Sequence, residues 1–221
     1  MFDFLEGYDL LGAFWVTVQL TVLSALGSLI WGTLLAGMKV SPVPLMRGFA
    51  TAYVNVVRNI PLTVIIVFSS LGLYQTLGVA LGGDETDTIN FRLAVLALVA
   101  YTAAFVCEAL RSGINTVPVG QAEAARALGL SFSQVLRLII LPQAFRAVVN
   151  PLSNVLIALT KNTTVASAIG VAEASYLMKG MIENEAQLIL IALVFAFGFV
   201  VLTLPTGLIL GWVSKKVAVK R

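Results

Sequence analysis

The chain has 221 residues, of which 59% are hydrophobic and 11% charged, with a formal net charge of +3 and a mean hydropathy of +0.96. Water-soluble domains carry about 25% charged residues, so the apolar excess has to face lipid and a soluble globule is excluded. The absence of histidine and the single cysteine, Cys107, exclude an internal disulfide and a Cys/His metal site. The sequence also lacks a G-x-x-x-x-G-K-S/T phosphate loop, so ATP binding through that motif is not expected.

The N-terminus carries Asp3, Glu6 and Asp9 but no basic residue. It lacks the basic start of a cleavable signal peptide, and residues 1–13 are expected to form an extracytoplasmic tail. Five apolar stretches follow, at about 14–38, 51–77, 91–110, 144–160 and 188–213. Each is near the roughly 20 residues that a bilayer-spanning helix needs. They form one integral membrane domain over 14–213, without internal repeats or low-complexity tracts, and residues 214–221 follow as a tail.

Ionisable groups at membrane depth are costly and usually face a bundle interior or a watery cavity. The first is Arg58, in VVRNIPLT early in the second stretch, with Pro61 three residues on. That proline weakens the local helix and frees backbone groups, which suits a pocket; a side chain snorkelling to the interface is the plainer alternative. The second is Glu108, late in the third stretch. It shares a helix face with Arg111, as a solute-facing group or as half of a helix-end ion pair.

The least apolar long segment comes next, Gln121 to Pro142, within a loop expected over 118–142. Pro118 suits the opening of a short helix, where its missing N–H costs nothing. Ala122, Ala124, Ala125 and Ala127 favour helix strongly. Gly129 suits the left-handed position past a helix end, and Ser131 with Gln134 reads as a capping box opening a second helix. The prediction is helix, sharp turn, helix, with a small-residue elbow that another protein can approach closely.

The fourth stretch holds Lys161, Asn162, Thr163 and Thr164 inside an apolar run extending from Ala144 to Ala172. This is longer than one straight span requires, and a helix broken near Lys161, its freed backbone lining a cavity, is expected. The alternative is a lysine snorkelling outward. In the last stretch, Gly207-x-x-x-Gly211 permits close helix contact.

Lys and Arg concentrate on the cytoplasmic side of membrane proteins. The successive loops carry Lys39 and Arg47; then Asp84, Glu85 and Asp87; then Arg111, Arg126 and Arg137; the end carries Lys215, Lys216, Lys220 and Arg221. This alternation predicts five transmembrane helices with the N-terminus outside and the C-terminus cytoplasmic. The fourth connection, Lys179 against Glu173, Glu183 and Glu185, decides nothing.

The run Glu123-Ala124-Ala125, three residues, Gly129, nine residues, then Ile139-x-Leu141-Pro142 resembles the cytoplasmic coupling loop (the EAA motif) of ABC importer permeases. Together with RNIPLT, EALRSGIN and LTKNTT in this order, the chain resembles, nearly end to end, the histidine/glutamate/glutamine/arginine group of polar amino-acid permeases. AYVNVVRNIPLT, LRSGINTVPVGQAEAARALGL and LIALTKNTTVASAIGVAEAS are similar to actinobacterial glutamate permease subunits in particular. The resemblance implies an all-α integral membrane fold of the type I ABC importer permease kind in a bacterial cell membrane. It implies a sister permease, more as a heterodimer than a homodimer. It further implies a cytoplasmic ABC ATPase dimer, which binds the ATP and Mg, and an extracytoplasmic amino-acid-binding protein. No cofactor is expected in this chain, which is then a transport subunit and not an enzyme. By the same resemblance, Arg58, Asn59 and Thr63, Glu108, and Lys161, Asn162, Thr163 and Thr164 line the substrate cavity. Glu123, Ala124, Ala125, Gly129, Leu141 and Pro142 couple to the ATPase.

Relatives that carry basic amino acids tend to have aspartate where this chain has Asn162; in a carrier of anions the alternative role for Glu108 is to neutralise a cation and not to bind solute. Two cations, Arg58 and Lys161, with the one anion Glu108 match the two carboxylates and ammonium of glutamate. Glutamine, aspartate or a basic amino acid are the alternatives. A secondary transporter or channel subunit explains the spans and buried charges but not the elbow. An intramembrane enzyme has neither histidine nor paired carboxylates to work with.

Overall fold

A computed structural model describes residues 7–217, and every described regular element is helical. The acidic residues Asp3 and Glu6 of the N-terminal tail, and Lys220 and Arg221 at the other end, lie outside the described residues.

Helix α1 spans Leu10–Lys39, its first turn capped by Asp9, whose carboxylate accepts from the Gly12 N–H at 2.8 Å. One stripe, Ala13, Thr17, Leu20, Ser24, Ser28, Gly32 and Leu35, is buried at helical spacing, while Leu11, Trp15, Val22, Leu26 and Ile30 stand exposed on the other face. An apolar face turned outward is what a helix against lipid needs. The buried stripe is small because α1 lies close against α4, Thr86–Ile114. A Cβ at Gly32 would stand 2.6 Å from Val106 and 2.8 Å from the Ala103 carbonyl, so only glycine allows this approach.

The expected second span, 51–77, is not one straight helix. Helix α2, Pro44–Asn59, ends at Ile60, and helix α3, Leu62–Phe68, leaves at 102° to it and continues as π-helical turns over Ser69–Thr76. Proline pushes the residue before it out of the helical region. Ile60 is accordingly extended, at φ −99° and ψ 132°, and Pro61 opens the next helix. Both arms are pinned to α4: Tyr53 Oη donates to the Ala100 carbonyl at 2.8 Å, and Ser70 Oγ to Asn90 Oδ1 at 3.2 Å.

Helix α5 spans Val119–Ala127 and the single turn α6 spans Phe132–Val135. Turns of π-helix over Leu136–Ile140 carry α6 directly into α7, Leu141–Asn162. The second half of the expected loop is therefore already the foot of the fourth membrane helix. The expected break at Lys161 is absent. The helix runs through Lys161, tightens to a 3-10 helix over Thr163–Ile169, and stops at Gly170, φ +81°. Hydroxyls explain the continuity: Thr163, Thr164 and Ser167 each donate to the carbonyl three residues earlier, at 2.7–2.8 Å. The polar run that reads as a breaker satisfies its own backbone.

Helix α8, Ala174–Glu185, and helix α9, Leu188–Val217, complete the described residues. Phe195 and Phe199 of α9 clasp Phe14 of α1 at ring distances of 5.7 and 5.6 Å. Of the Gly207-x-x-x-Gly211 pair, Gly207 faces Ile157 of α7, whereas nothing lies within 4 Å of a Cβ built at Gly211. Among the described residues, four helices are long and apolar enough to cross a membrane, and the bent α2–α3 pair makes a fifth if it is one span.

Candidate functional site

Two surfaces collect most of the residues singled out by the sequence. The first is the elbow. Pro118 precedes α5, and the helix ends in paired bonds: Gly129 N–H to the Arg126 carbonyl at 2.9 Å, and Leu130 N–H to the Ala125 carbonyl at 3.2 Å. This is the 5→2 and 6→1 pattern of a glycine-terminated helix, with Gly129 at φ +86°. Ser131 and Gln134 then cap each other reciprocally, through Ser131 N–H to Gln134 Oε1 at 2.8 Å and Gln134 N–H to Ser131 Oγ at 3.4 Å. The turn is thus fixed at both ends by local bonds.

Glu123, Ala124 and Gly129 are exposed on this elbow, whereas Ala125 is buried beneath it. A groove of about 420 Å³ runs between α5 and the foot of α7, lined by Gln121, Ala124, Leu128, Leu138, Pro142 and Gln143. Gln143 Nε2 ties its walls together, donating to Gln121 Oε1 at 2.7 Å and to the Ile139 carbonyl at 2.9 Å. Leu128 is 85% exposed and Phe132 62% exposed. The sequence reading passed over both, although an apolar residue on each side of a glycine elbow is itself a signal of a docking knob. Leu141, expected at the coupling surface, turns away from this groove and lines another one on the opposite side of Pro142.

The second surface is a cleft of about 410 Å³ between α4 and α7, lined by Tyr101, Thr102, Phe105, Asn154, Ala158 and Asn162. Arg58 of α2 is not among the lining residues but lies against one of them, its guanidinium 5.5 Å from the centre of the Phe105 ring, a cation–π contact that leaves the N–H fork free for an anion. Lys161 is exposed beside Asn162. Thr163 is buried and its hydroxyl engages Thr160, while Thr164 engages the Lys161 carbonyl. Asn59 and Thr63 are exposed on either side of the Pro61 bend, with Asn59 donating to the Asn55 carbonyl at 2.6 Å.

Glu108 is not among the residues lining that cleft. Its carboxylate accepts from Lys39 of α1 and from Arg111 Nε and Nη2 at 3.2 and 3.0 Å, so it holds two cations at the ends of α1 and α4. Of the expected solute residues, Asn162 lines the cleft, Arg58 touches its Phe105 wall, and Glu108 is engaged elsewhere. Tyr101, Phe105 and Asn154 were not picked out from the sequence. Asn154 and Asn162 lie eight residues apart, on one helical face, and that spacing was the available signal.

Residues 14–219 match the family described as binding-protein-dependent transport system inner membrane component. The glutamate transport system permease protein GluC of Corynebacterium efficiens is 60% identical over 97% of this chain and 96% of its own length. Its counterpart of Corynebacterium glutamicum is 58% identical over the same shares. Among solved structures, an amino acid ABC transporter crystallised with histidines superposes with a TM-score of 0.83 at 28% identity, over 94% of this chain and 93% of that one. The chain belongs to the binding-protein-dependent transport system inner membrane component family.

Proposed function

We propose that this chain is the permease half of an ATP-driven importer that carries L-glutamate across a bacterial cell membrane. The observation that carries the reading is the 60% identity, over almost the whole of both chains, to a glutamate transport permease. The elbow supports the same reading, because a permease without a nucleotide site must take its energy through contact with a separate ATPase. A ligand or partner shifts an equilibrium only by binding its two states differently, and the exposed Glu123–Gly129 elbow offers the surface for that.

In this reading the bent α2–α3 pair crosses as one span, giving five crossings with the N-terminus outside and the C-terminus cytoplasmic. An ATPase dimer grips the elbow, and an extracytoplasmic binding protein delivers the solute. A sister permease, different from this chain, closes the other half of the pathway. ATP binding draws the ATPases together and carries the elbow with them. The continuous run from α6 into α7 turns that displacement into movement of the α7 wall of the cleft, and hydrolysis reverses it. In the cleft, Arg58 takes one solute carboxylate in two parallel hydrogen bonds while Lys161 acts as a point charge for the other. Asn162 adds neutral hydrogen bonds.

The test is reconstitution of the permeases, ATPase and binding protein in vesicles, with uptake and ATP hydrolysis measured together. Glutamate with the binding protein is expected to raise hydrolysis and to accumulate inside. An intact complex that imports arginine or histidine but not glutamate overturns the substrate assignment.

A further inference from the structure

We propose that the groove between α1, α4 and the first half of α7 holds one acyl chain of an anionic phospholipid of the cytoplasmic leaflet. The groove encloses about 720 Å³, and its walls are almost wholly apolar: Ala36 and Gly37 of α1 with Val40 just past its end, Leu110 of α4, and Phe145 and Leu152 of α7. Its α7 wall runs from Leu141 to Leu152, a rise of about 16 Å at 1.5 Å per residue. That is about half of a 30 Å hydrocarbon core, the depth of one leaflet. Gly37 contributes open space, since nothing lies within 4 Å of a Cβ built there.

The groove and the solute cleft use different faces of α7. Asn154, Ala158 and Asn162 line the solute cleft from one face of α7, while Phe145, Val148 and Leu152 line the groove. At 100° per residue, the two sets of α7 residues centre on directions roughly 100° apart. The groove therefore lies on a different face of α7 from the solute cleft. It is also distinct from the elbow groove, which lies on the α5 side of Pro142.

Charge selects the headgroup. Arg146 lines the groove, is exposed, and makes no ion pair among the described residues. Lys39 and Arg111, each one residue from a lining position, share the single carboxylate of Glu108. Three cations thus stand against one anion around the groove. A basic rim over an apolar slot on the cytoplasmic side is a setting that binds anionic headgroups. The cytoplasmic assignment takes the orientation proposed above.

The experiment purifies the whole transporter from vesicles of equal phosphatidylglycerol and phosphatidylcholine and counts the lipids retained on it by native mass spectrometry. The wild-type complex is expected to retain phosphatidylglycerol in about tenfold preference. Arg146→Gln should abolish the preference, and Gly37→Leu, which fills the slot, should abolish retention, with size-exclusion chromatography showing both complexes assembled. Equal retention of the two lipids by the wild type, or undiminished retention by Gly37→Leu, overturns the site. A Phe145→Cys variant is expected to form no disulfide between two copies of this chain; a cross-link assigns the groove to a second copy instead and also overturns it. Labelling of a cysteine at Thr86 from the cytoplasm would leave a measured lipid preference standing and overturn the leaflet, so a failure of the topology is distinguishable from a failure of the site.

Discussion

Arg58 is held by an aromatic face, and no carboxylate pairs with it among the described residues. A charge-assisted hydrogen bond contributes about 1.5–3 kcal/mol, so removing one that holds a solute carboxylate lowers uptake by roughly 10- to 100-fold at 1.4 kcal/mol per decade. Arg58→Ala and Lys161→Ala are each expected to impair glutamate uptake by that order while the complex still assembles. Asn162→Asp adds an anion beside the solute and should weaken glutamate more than glutamine. Full glutamate uptake by the Arg58→Ala, Lys161→Ala double variant removes both residues from the solute path. A different residue governs pH behaviour. Glu173, in the connection between the 3-10 turn and α8, is fully buried, and burial pushes its carboxyl up to about 7. The Ser175 and Tyr176 N–H groups, Lys179 and Thr17 oppose the shift without cancelling it. The folded state therefore binds more protons than the unfolded state between the ordinary carboxyl range and about pH 7. Its stabilising contribution is full at low pH and is lost as pH rises through 7, on the order of 3 kcal/mol at most. The melting temperature of the purified permease should fall from pH 5 to pH 8. Glu173→Gln keeps an acceptor for the Tyr176 N–H, bonded at 2.9 Å, and should flatten that fall; an unchanged slope in Glu173→Gln would falsify the assignment.

Among the elements, the elbow carries the sharpest expectation. Gly129 is at φ +86°, where a side chain costs about 1 kcal/mol or more. Nothing lies within 4 Å of a Cβ built there, so backbone conformation, and not crowding, is what valine would disturb. Gly129→Val and Glu123→Arg are each expected to insert normally and to lose transport while the ATPase still turns over, read as the ratio of glutamate moved to ATP hydrolysed. A normal ratio in either variant removes the elbow as the coupling contact. This element was legible in the sequence because everything that shapes it is local: a proline before the helix, a glycine after it, and a serine and glutamine three residues apart. The fourth helix was misread for the opposite reason. Lys161, Asn162, Thr163 and Thr164 look like a polar interruption, yet hydroxyl-to-carbonyl bonds keep the chain helical, and hydropathy says nothing of such bonds. The Pro61 bend lies between: the proline announces a weak point, but its 102° angle depends on where Tyr53 and Ser70 anchor the two arms on α4. The cleft followed the same division. Arg58 and Asn162 were legible as costly polar groups in apolar stretches. Tyr101 and Phe105 look like any other apolar residues of a spanning helix until α2 brings an arginine onto one of them.

For the whole molecule, the proposed topology makes one demand that a single labelling experiment meets. Loops rich in Lys and Arg alternate with the acidic connection that carries Asp84, Glu85 and Asp87, and this bias orients membrane proteins. The bent α2–α3 pair crosses only as a unit, because neither arm is long enough to span a bilayer by itself. If the pair turned back to the side from which it entered, the acidic connection and the coupling elbow would each change sides relative to α1. Thr86 is exposed at the first turn of α4, immediately after that pair, so its side of the membrane reports directly on whether the pair crosses. The native background is low, since Cys107 is the only cysteine in the chain and is fully buried. Thr86→Cys in intact cells is expected to react with a membrane-impermeant maleimide, and a reporter fused after Arg221 is expected to read cytoplasmic. Protection of Thr86→Cys until the cells are opened would mean that the pair is re-entrant. The single crossing of α4 would then put the elbow outside, and the two further crossings of α7 and α9 would leave the C-terminal tail outside with it, so the elbow would lose the side on which an ATPase can reach it.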